Sequence, residues 1–187
     1  MNMNKNELRK AISLQRTNMD TKVVSELSGI ICQKLLDSDY YKKASQIFAY
    51  SSIRNEVICD TVIKAAFKDG KKVALPKVLS ASSDCTMEFY YIHTLNQTDE
   101  GYMKIQEPSD TACTSPAIPD SNTLIIVPGI VFDKNLYRIG FGKGFYDRYF
   151  TKYQCDTHKV ALCYDFQLMD SIPHDRHDIP VNAVITN

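Results

Sequence analysis

Residues 123–133 read Thr-Leu-Ile-Ile-Val-Pro-Gly-Ile-Val-Phe-Asp, and this stretch decides how the chain can fold. Its first five residues form a short, nearly continuous apolar run, which is typical of a strand buried on both faces. A proline–glycine pair then ends the strand, and Asp133 follows. A strand of this kind fits the interior of a mostly parallel sheet.

Five other stretches also look like strands, and they alternate with helical segments. The predicted strands cover residues 46–50, 72–75, 159–164 and 181–185, with a more alternating one at 87–92. The predicted helices cover residues 4–18, 20–36, 57–68 and 145–153. This order predicts an α/β fold, a single-domain three-layer sandwich over residues 1–187 with a mostly parallel central sheet flanked by helices.

The sequence also predicts where one helix ends and where one irregular segment lies. Gly70 follows the third helical segment directly, where glycine commonly ends a helix. Residues 94–122 contain three prolines and many Ser, Thr and Asp residues. We expect an irregular excursion there.

The composition is that of a globular protein without a positive excess. Lys and Arg total 22, and Asp and Glu total 22. Proteins that bind duplex nucleic acid normally carry a basic excess, so we expect no nucleic-acid partner. Residues 1–10 lack the apolar stretch of a signal peptide, and no run approaches the ~20 apolar residues of a membrane span. We therefore expect a cytoplasmic protein without a membrane partner, and a monomer.

The six cysteines are spread along the chain and form no C-x-x-C pair. An even number could indicate disulfides. Cys32 and Cys163, however, lie in apolar runs of a chain that is not small, which favours reduced thiols in the core.

The most informative motif is residues 138–148, Arg-Ile-Gly-Phe-Gly-Lys-Gly-Phe-Tyr-Asp-Arg. Three glycines within five residues precede a helical segment, and glycine lets a backbone approach a ligand closely. The unpaired N–H groups and the positive dipole end at the N-terminus of a helix favour the binding of a phosphate. The pattern is not a Walker A loop, because Gly144 follows Lys143, and not a dinucleotide fingerprint, because Phe145 takes the place of the third glycine. A tight turn with solvated cations remains the alternative interpretation.

Acidic and basic residues flank this loop. Asp147 falls in the first turn of the following helix, where it could cap the helix or hold Mg²⁺ against a phosphate. Lys5 and Arg9 lie four residues apart, so they project from one face of the first helix. That pair could contact a phosphate or could form a solvated basic stripe.

The order Val-Pro-Gly-x-x-Phe-Asp at 127–133 and Arg-x-Gly-x-Gly-Lys-Gly-Phe-Tyr-Asp-Arg at 138–148 resembles the signature of 5-formyltetrahydrofolate cyclo-ligases. The likeness extends over nearly the whole chain. It includes, in order, Lys5, Leu8 and Arg9, then Glu56, residues 70–78 and 87–89, Glu107-Pro108, His177-Asp178 and Ile185-Thr186. Each of these short patterns is common by itself, but the presence of all of them in this order is a specific signal of the family.

The resemblance implies a set of site residues. Those implied to contact ATP are Lys5, Arg9, Arg138, Ile139, Gly140, Phe141, Gly142, Lys143, Gly144, Phe145 and Tyr146. Those implied to face the folate substrate are Ser51, Glu56, Phe141, Gly142, Lys143, Gly144 and Phe145. Asp147 and Asp178 would bind Mg²⁺, with Asp133 as a possible third ligand. The expected catalytic cations are Lys143, near the γ-phosphate, and Arg148.

Two positions depart from the family pattern. The family commonly has two tyrosines before the aspartate of the loop, whereas Phe145 precedes Tyr146 here. A hydroxyl at position 145 is therefore lost, while stacking on a flat pterin ring would survive. The chain ends in Asn187, where the family often has an acidic residue after threonine.

The implied reaction is the ATP- and Mg²⁺-dependent cyclisation of 5-formyltetrahydrofolate to 5,10-methenyltetrahydrofolate. Two alternatives remain from the residues alone: a sugar-phosphate isomerase-like enzyme, and a non-catalytic module that binds folate or nucleotide. The role of Glu56 is also open, because this residue could accept hydrogen bonds from the pterin or cap the helix that follows.

Overall fold

The computed structural model describes residues 3–80 and 85–187. Within these ranges the chain forms five α-helices: α1 (Lys5–Thr17), α2 (Thr21–Asp37), α3 (Asp39–Lys43), α4 (Asp60–Lys68) and α5 (Phe145–Lys152). The described strands of the large sheet are β1 (Gln46–Phe48), β2 (Lys72–Ser80), β3 (Thr86–Ile92), β6 (Thr123–Val127), β9 (His158–Leu162) and β11 (Ala183–Ile185). Those of the small sheets are β4 (Thr98–Glu100), β5 (Gln106–Pro108), β7 (Val131–Asp133), β8 (Arg138–Ile139) and β10 (Leu168–Met169).

The large sheet has six strands in the order β11-β9-β6-β1-β2-β3. All neighbouring pairs are parallel except β2 with β3, which is antiparallel at the edge. The central strand β1 pairs with β2 on one side and with β6 on the other. Because the parallel strands share one direction, their carboxyl ends meet along one edge of the sheet, where open α/β sheets bind ligands.

Helices cover both faces of this sheet. On one face, α2, α3 and α4 pack against residues of alternating strand positions such as Ile47 and Leu124. On the other face, α5 packs through Tyr149 and Phe150 against neighbours such as Phe48 and Ile125. These side chains are at most 7% exposed. The predicted three-layer sandwich with a mostly parallel sheet is therefore confirmed.

A second, three-stranded sheet in the order β10-β7-β8 was not predicted from the sequence. Helix α1 packs Leu8 and Ile12 onto this sheet through contacts that include Ile130 and Ile139. The strands contain only two or three residues each, which is too short for a periodic pattern to mark them. This sheet places the N-terminal helix beside the glycine loop that follows β8.

The expectation of an irregular excursion at 94–122 is partly wrong. Strands β4 and β5 form an antiparallel hairpin within it, with Thr98 opposite Pro108 and Glu100 opposite Gln106. The hairpin strands read Thr-Asp-Glu and Gln-Glu-Pro, which lack the apolar alternation that marks a strand.

The helix ends follow local sequence signals. Asn4 caps α1, and Glu7 completes a capping box. Gly70 follows the last residues of α4 with φ +70°, a conformation that glycine adopts without strain. Helix α4 begins three residues later than predicted, at Asp60.

Cys32 and Cys163 are reduced and fully buried, as predicted. Burial, with minor contributions from neighbouring acidic groups, raises the pKa of Cys32 to about 11 and that of Cys163 to about 12, so both are neutral thiols at physiological pH. In the described ranges, no helix is long and apolar enough to cross a membrane.

Candidate active site

A cavity of about 380 Å³ opens at the carboxyl ends of the parallel strands. Its lining comes from the segments after β1 and β6, from Pro76 and Val78 within β2, and from the glycine loop, α1 and the β4–β5 hairpin. The structure brings fifteen of the sequence-predicted site residues into this lining: Lys5, Arg9, Ser51, Glu56, Arg138, Ile139, Gly140, Phe141, Gly142, Lys143, Gly144, Phe145, Tyr146, Asp147 and Asp178.

The glycine loop connects β8 to α5 and needs glycine at two positions. Gly142 and Gly144 have φ values of +91° and +67°, which side chains with a Cβ rarely adopt. Gly144 is the N-cap of α5 and supplies no side-chain hydrogen bond to the first turn. The N–H groups of that turn are therefore available at the cavity wall, where an anion would be stabilised.

Cations from distant parts of the chain converge on the loop. Arg9 donates its Nε to the carbonyl oxygen of Gly140 at 2.8 Å, which fixes α1 against the loop. Lys5 donates to Asp175 and Asp178 at 2.5 and 2.6 Å. Burial lowers the pKa of Lys5, but these hydrogen bonds outweigh it and raise the pKa overall. Lys5 therefore remains charged.

Arg138 is a buried anchor between three parts of the site. Its Nη2 donates to Asp147 Oδ1 at 2.8 Å, and its Nη1 donates to the carbonyl oxygen of Ile179 at 2.5 Å. The N–H of Ile179 donates to the same oxygen of Asp147 at 3.1 Å. These bonds tie β8, α5 and the C-terminal segment together, so the two predicted magnesium ligands are held on one side of the cavity.

The two predicted magnesium ligands each retain one carboxylate oxygen without a hydrogen bond to a described residue. Asp147 uses Oδ1 for Arg138 and Ile179, and Asp178 uses Oδ2 for Lys5 and the N–H of Asp175. Burial opposes ionisation of Asp178, but its hydrogen bonds outweigh this effect and lower its pKa.

Two carboxylates facing a phosphate-sized cavity fit Mg²⁺, which usually takes one or two carboxylates together with phosphate oxygens and water. In residues 3–80 and 85–187, no group of three or more His, Cys, Asp or Glu residues could hold a metal ion by itself. A magnesium ion at this site would therefore need oxygens from the ligand.

Glu56 and Tyr146 present unsatisfied polar atoms in the lining. Glu56 Oε2 accepts the N–H of Ile53 at 3.1 Å, whereas Oε1 has no hydrogen-bond partner and lies 3.7 Å from Arg16 Nη2. The hydroxyl of Tyr146 is also buried without a hydrogen-bond partner. Buried polar groups are rarely left unpaired, and these two atoms, unlike the buried unpaired hydroxyl of Tyr149, belong to residues that line the cavity, where a ligand would complete them.

The protonation of Glu56 depends on its burial. Desolvation raises its pKa to about 7, although Arg16 and the N–H of Ile53 act in the opposite direction. The capping alternative for Glu56 is wrong, because Cys59 occupies the N-cap of α4 and Glu56 bonds instead to Ile53.

Two sequence-derived candidates lie outside the cavity lining. Asp133 is 1% exposed, and its two oxygens accept the N–H groups of Tyr137 and Ile172, so it fastens the turn after β7 rather than facing a metal. Arg148 donates to the carbonyl oxygens of Lys143 and Cys85. These contacts place Arg148 behind the loop, where it holds the backbone, and give no support for a catalytic contact.

Sequence reasoning missed the contribution of the hairpin. Tyr102, Met103, Ile105 and Glu107 line the cavity, and the ring of Tyr102 lies edge-on to the ring of Phe145 with centroids 6.1 Å apart. Glu107-Pro108 belongs to the family pattern in the sequence, but this pattern predicts no chemical role for Glu107. The hydroxyl of Ser51, predicted to face substrate, donates to the carbonyl oxygen of Gln106 at 2.5 Å and so supports the hairpin.

Comparison with known proteins gives one consistent result. The model of the 5-formyltetrahydrofolate cyclo-ligase family matches residues 1–187. A probable 5-formyltetrahydrofolate cyclo-ligase of Schizosaccharomyces pombe is 30% identical over 202 aligned residues, covering 100% of this chain and 96% of that protein. The 5-formyltetrahydrofolate cyclo-ligase of Escherichia coli K12 is 31% identical over 145 residues, covering 76% of this chain and 78% of its own.

Solved structures show the same similarity in three dimensions. The 5,10-methenyltetrahydrofolate synthetase of Aquifex aeolicus superposes with a TM-score of 0.83 at 32% identity, covering 98% of this chain and 90% of that one. The synthetase of Mycoplasma pneumoniae gives a TM-score of 0.77 at 28% identity and covers 98% of both chains. From its sequence, its fold and the cavity that they build, this chain belongs to the 5-formyltetrahydrofolate cyclo-ligase family.

Proposed function

We propose that this protein is a 5-formyltetrahydrofolate cyclo-ligase that uses MgATP to convert 5-formyltetrahydrofolate into 5,10-methenyltetrahydrofolate, with release of ADP and phosphate. The observation that carries the proposal is the arrangement of one cavity. A cationic glycine loop lies at one end, and the unsatisfied atoms of Glu56 and Tyr146 lie in the same lining. Family membership supplies the identity of the two substrates.

The chemistry explains why such a cavity suffices. The N5-formyl group is an amide, so its carbon is a poor electrophile and its oxygen is a poor leaving group. Transfer of the γ-phosphoryl group of ATP to the formyl oxygen makes the carbon a better electrophile and the oxygen a better leaving group. N10 of the folate then attacks the formyl carbon, the N10 proton is lost, and the C–O bond breaks to release phosphate. No protein nucleophile is needed, so the protein contributes alignment and stabilisation of charge.

We assign the nucleotide phosphates to the glycine-loop end of the cavity. Arg9 is anchored on Gly140, and Lys5 is held in its charged form by two carboxylates. The amino group of Lys143 makes no ion pair or hydrogen bond with a described residue, so it can reach the γ-phosphate. Backbone N–H groups at the start of α5 would share the negative charge.

We assign the magnesium ion to Asp147 and Asp178. Each carboxylate has one oxygen turned to a polar partner of the fold and one left for a ligand. The ion would neutralise phosphate charge during transfer. The role of Arg138 in this scheme is to hold Asp147 in place, since its two terminal nitrogens are already bonded within the protein.

We assign the pterin ring to the region of Glu56 and Tyr146. A pterin carries an amino group and a ring N–H along one edge, which a carboxylate can accept side by side. Binding would satisfy Oε1 of Glu56 and would place the ring near Phe145, whose face can stack on it. Arg16, at 3.7 Å from Glu56, offsets part of the cost of ionising this buried carboxyl group.

We also propose that residues 1–187 work as one domain, since the family match spans this whole range. A cytoplasmic location, a monomeric state and the absence of nucleic-acid and membrane partners remain predictions from the sequence.

The discriminating experiment measures release of inorganic phosphate with ATP alone, with 5-formyltetrahydrofolate alone and with both. The cyclo-ligase releases phosphate only when both are present with Mg²⁺. An isomerase-like enzyme would not need ATP, and a binding module would release no phosphate under any of these conditions. Phosphate release from ATP that does not depend on the folate would contradict the proposal.

A further inference from the structure

Residues 172–181 form a strap that carries Asp178 along one side of the cavity. These ten residues contain no helix or strand, so no regular ladder of backbone hydrogen bonds fixes their position. A carboxylate that binds a metal ion needs a fixed orientation, which groups behind the ligand normally provide. The contacts that hold the strap therefore bear on the magnesium site.

The strap is bonded at both ends to one turn, residues 133–137, which connects β7 to β8. At one end, the N–H of Ile172 donates to Oδ2 of Asp133 at 3.0 Å. At the other end, the N–H of Val181 donates to the carbonyl oxygen of Leu136 at 3.0 Å. Ile172, Val181 and Asp133 are all buried. The turn thus holds the strap on either side of Asp178, through bonds that water cannot easily replace.

A ring contact adds a third link between the strap and the turn. The ring of His174 lies parallel to the ring of Tyr137, with centroids 3.8 Å apart and an interplanar angle of 1°. Asp133 also holds the residue beneath this stack, because its Oδ1 accepts the N–H of Tyr137 at 2.9 Å. One buried carboxylate therefore fixes both the start of the strap and the ring on which His174 rests.

The turn has a backbone conformation that depends on these contacts. Leu136 has a φ value of +70°, which is uncommon for a residue with a Cβ. Such conformations persist only where the surrounding structure imposes them. The N–H of Asp133 donates to the carbonyl oxygen of Tyr137 at 3.1 Å, and its own carbonyl oxygen accepts the N–H of Leu136 at 3.0 Å. Backbone and side chain of Asp133 together close the turn around Leu136.

The inference rests on the assignment of the magnesium ion to Asp147 and Asp178. We propose that Asp133 is a positioning residue for this site: it fixes the turn at 133–137, and through the turn it sets where the strap presents Asp178 to the ion. Asp133 acts from behind the ligand, since its two oxygens are both occupied by backbone N–H groups. Loss of a group that orients a metal ligand lowers metal affinity by about ten- to a hundredfold.

The test measures metal binding by Asp133→Asn, without turnover. Asparagine keeps the shape of the side chain, but its NH₂ group would face one of the two backbone N–H donors that the carboxylate accepts. Mn²⁺, which prefers the same oxygen ligands as Mg²⁺, is titrated in the presence of ADP, and free Mn²⁺ is followed by electron paramagnetic resonance. We expect the dissociation constant of Mn²⁺ to rise about tenfold. The affinity for ADP without metal should stay unchanged.

The matched control is Glu88→Gln. Glu88 is also buried, but it bonds to Lys152 and Tyr153 and lies outside the cavity lining. Both variants lose a buried carboxylate, so a purely structural loss would lower the stability of both and leave Mn²⁺ binding by the folded molecules unchanged. Wild-type Mn²⁺ affinity in folded Asp133→Asn, or an equal loss of affinity in both variants, would overturn the positioning role.

A second variant tests the same link at the surface, where a substitution is compatible with folding. His174→Ala removes the stack on Tyr137 and should raise the dissociation constant of Mn²⁺ about threefold, as loss of one aromatic contact would. Its control is His158→Ala, which removes a ring contact with Tyr40 at 5.5 Å, away from the strap. Equal Mn²⁺ affinities of these two variants would contradict the inference.

Asp178→Asn separates the inference from the proposed function. If this variant binds Mn²⁺ at least about tenfold more weakly than the wild-type protein while Asp133→Asn and His174→Ala bind it normally, the inference alone is overturned. If Asp178→Asn binds Mn²⁺ as tightly as the wild-type protein does, the magnesium assignment is wrong and the inference is overturned with it.

Discussion

The amino group of Lys5 lies 2.6 Å from Oδ2 of Asp178, although 173 residues separate them in the chain. The same amino group lies 2.5 Å from Asp175. These contacts join the first helix to the C-terminal segment across the cavity mouth. A cation expected to contact phosphate and a carboxylate expected to bind Mg²⁺ therefore position each other before any ligand arrives.

This pairing predicts that Asp178→Asn raises the Mg²⁺ concentration needed for half-maximal activity by about ten- to a hundredfold, since one ligand and one restraint on Lys5 are lost. Lys5→Met should mainly raise the KM for ATP. Steady-state rates at varied Mg²⁺ and ATP measure both effects. The matched control is Lys134→Met, which breaks an exposed pair with Asp170 at 2.7 Å and should change neither constant. An unchanged Mg²⁺ requirement in Asp178→Asn would contradict the assignment.

Lys143 is predicted to act on the transferring phosphoryl group. Lys143→Ala should lower kcat by about a hundredfold or more, which is typical of removing one group that stabilises charge in a transition state. Single-turnover rates at saturating MgATP measure the effect on chemistry. Lys22→Ala removes an exposed lysine at the start of α2, outside the cavity, and should behave like the wild-type protein. A loss confined to the KM for ATP would mean that Lys143 only binds the nucleotide.

Gly144 is predicted to matter for both stability and activity. Gly144→Ala forces a Cβ into a backbone with φ +67° and to 3.2 Å from Arg148, which should cost about 1–2 kcal/mol of stability. Displacement of the loop should also lower kcat/KM by at least about tenfold. Gly70→Ala introduces the same kind of strain at φ +70°, far along the chain from the loop and outside the cavity.

Denaturant unfolding and kinetics on both glycine variants separate strain from function. Both variants should lose comparable stability, but only Gly144→Ala should lose activity per folded molecule. Full activity in Gly144→Ala would show that the loop geometry is not needed for catalysis.

Glu56 is predicted to make stability depend on pH. Its folded-state pKa of about 7 lies above its ordinary value of 4.5, so the folded protein binds the proton more tightly than the unfolded chain does. The destabilisation that follows is absent below about pH 4.5, grows as the pH rises through 7, and is constant above that range. The stability of Glu56→Gln relative to the wild-type protein should therefore increase with pH, by up to about 3 kcal/mol.

Urea unfolding of both proteins at several pH values between 4.5 and 8 measures this difference. The attraction between Arg16 and ionised Glu56 is already contained in the pKa of about 7, so the difference that remains between glutamine and protonated glutamate does not vary with pH. The change of this stability difference with pH therefore tests the raised pKa of Glu56. A difference that stays flat or falls with pH would contradict the raised pKa.

The large sheet could be predicted from the sequence because its strands carry their own signal. The run at 123–127 is apolar on both faces, and strand β6 covers the same residues. The small sheet and the hairpin could not be predicted, since their strands of two or three residues depend on tertiary neighbours such as α1 rather than on local pattern. Short elements of this kind nevertheless form two walls of the cavity.

The candidate site, like the fold, could be predicted from the sequence only in part. The loop at 138–147 could be recognised from its motif, and all of these residues line the cavity. The motif could not separate Arg148, which faces the back of the loop, from its neighbours that face the ligand. It also could not reveal that the hydroxyl of Tyr146 is buried without a hydrogen-bond partner, because this depends on contacts between segments far apart in sequence.

The most direct test of the central claim is the near-ultraviolet absorbance of a mixture of purified protein, MgATP and 5-formyltetrahydrofolate, since the methenyl product gains a conjugated bridge. The cyclo-ligase assignment predicts growth of the product band that requires both ATP and Mg²⁺ and that is lost in Lys143→Ala and Asp147→Ala. A flat trace from folded wild-type protein that still binds ATP would contradict the assignment.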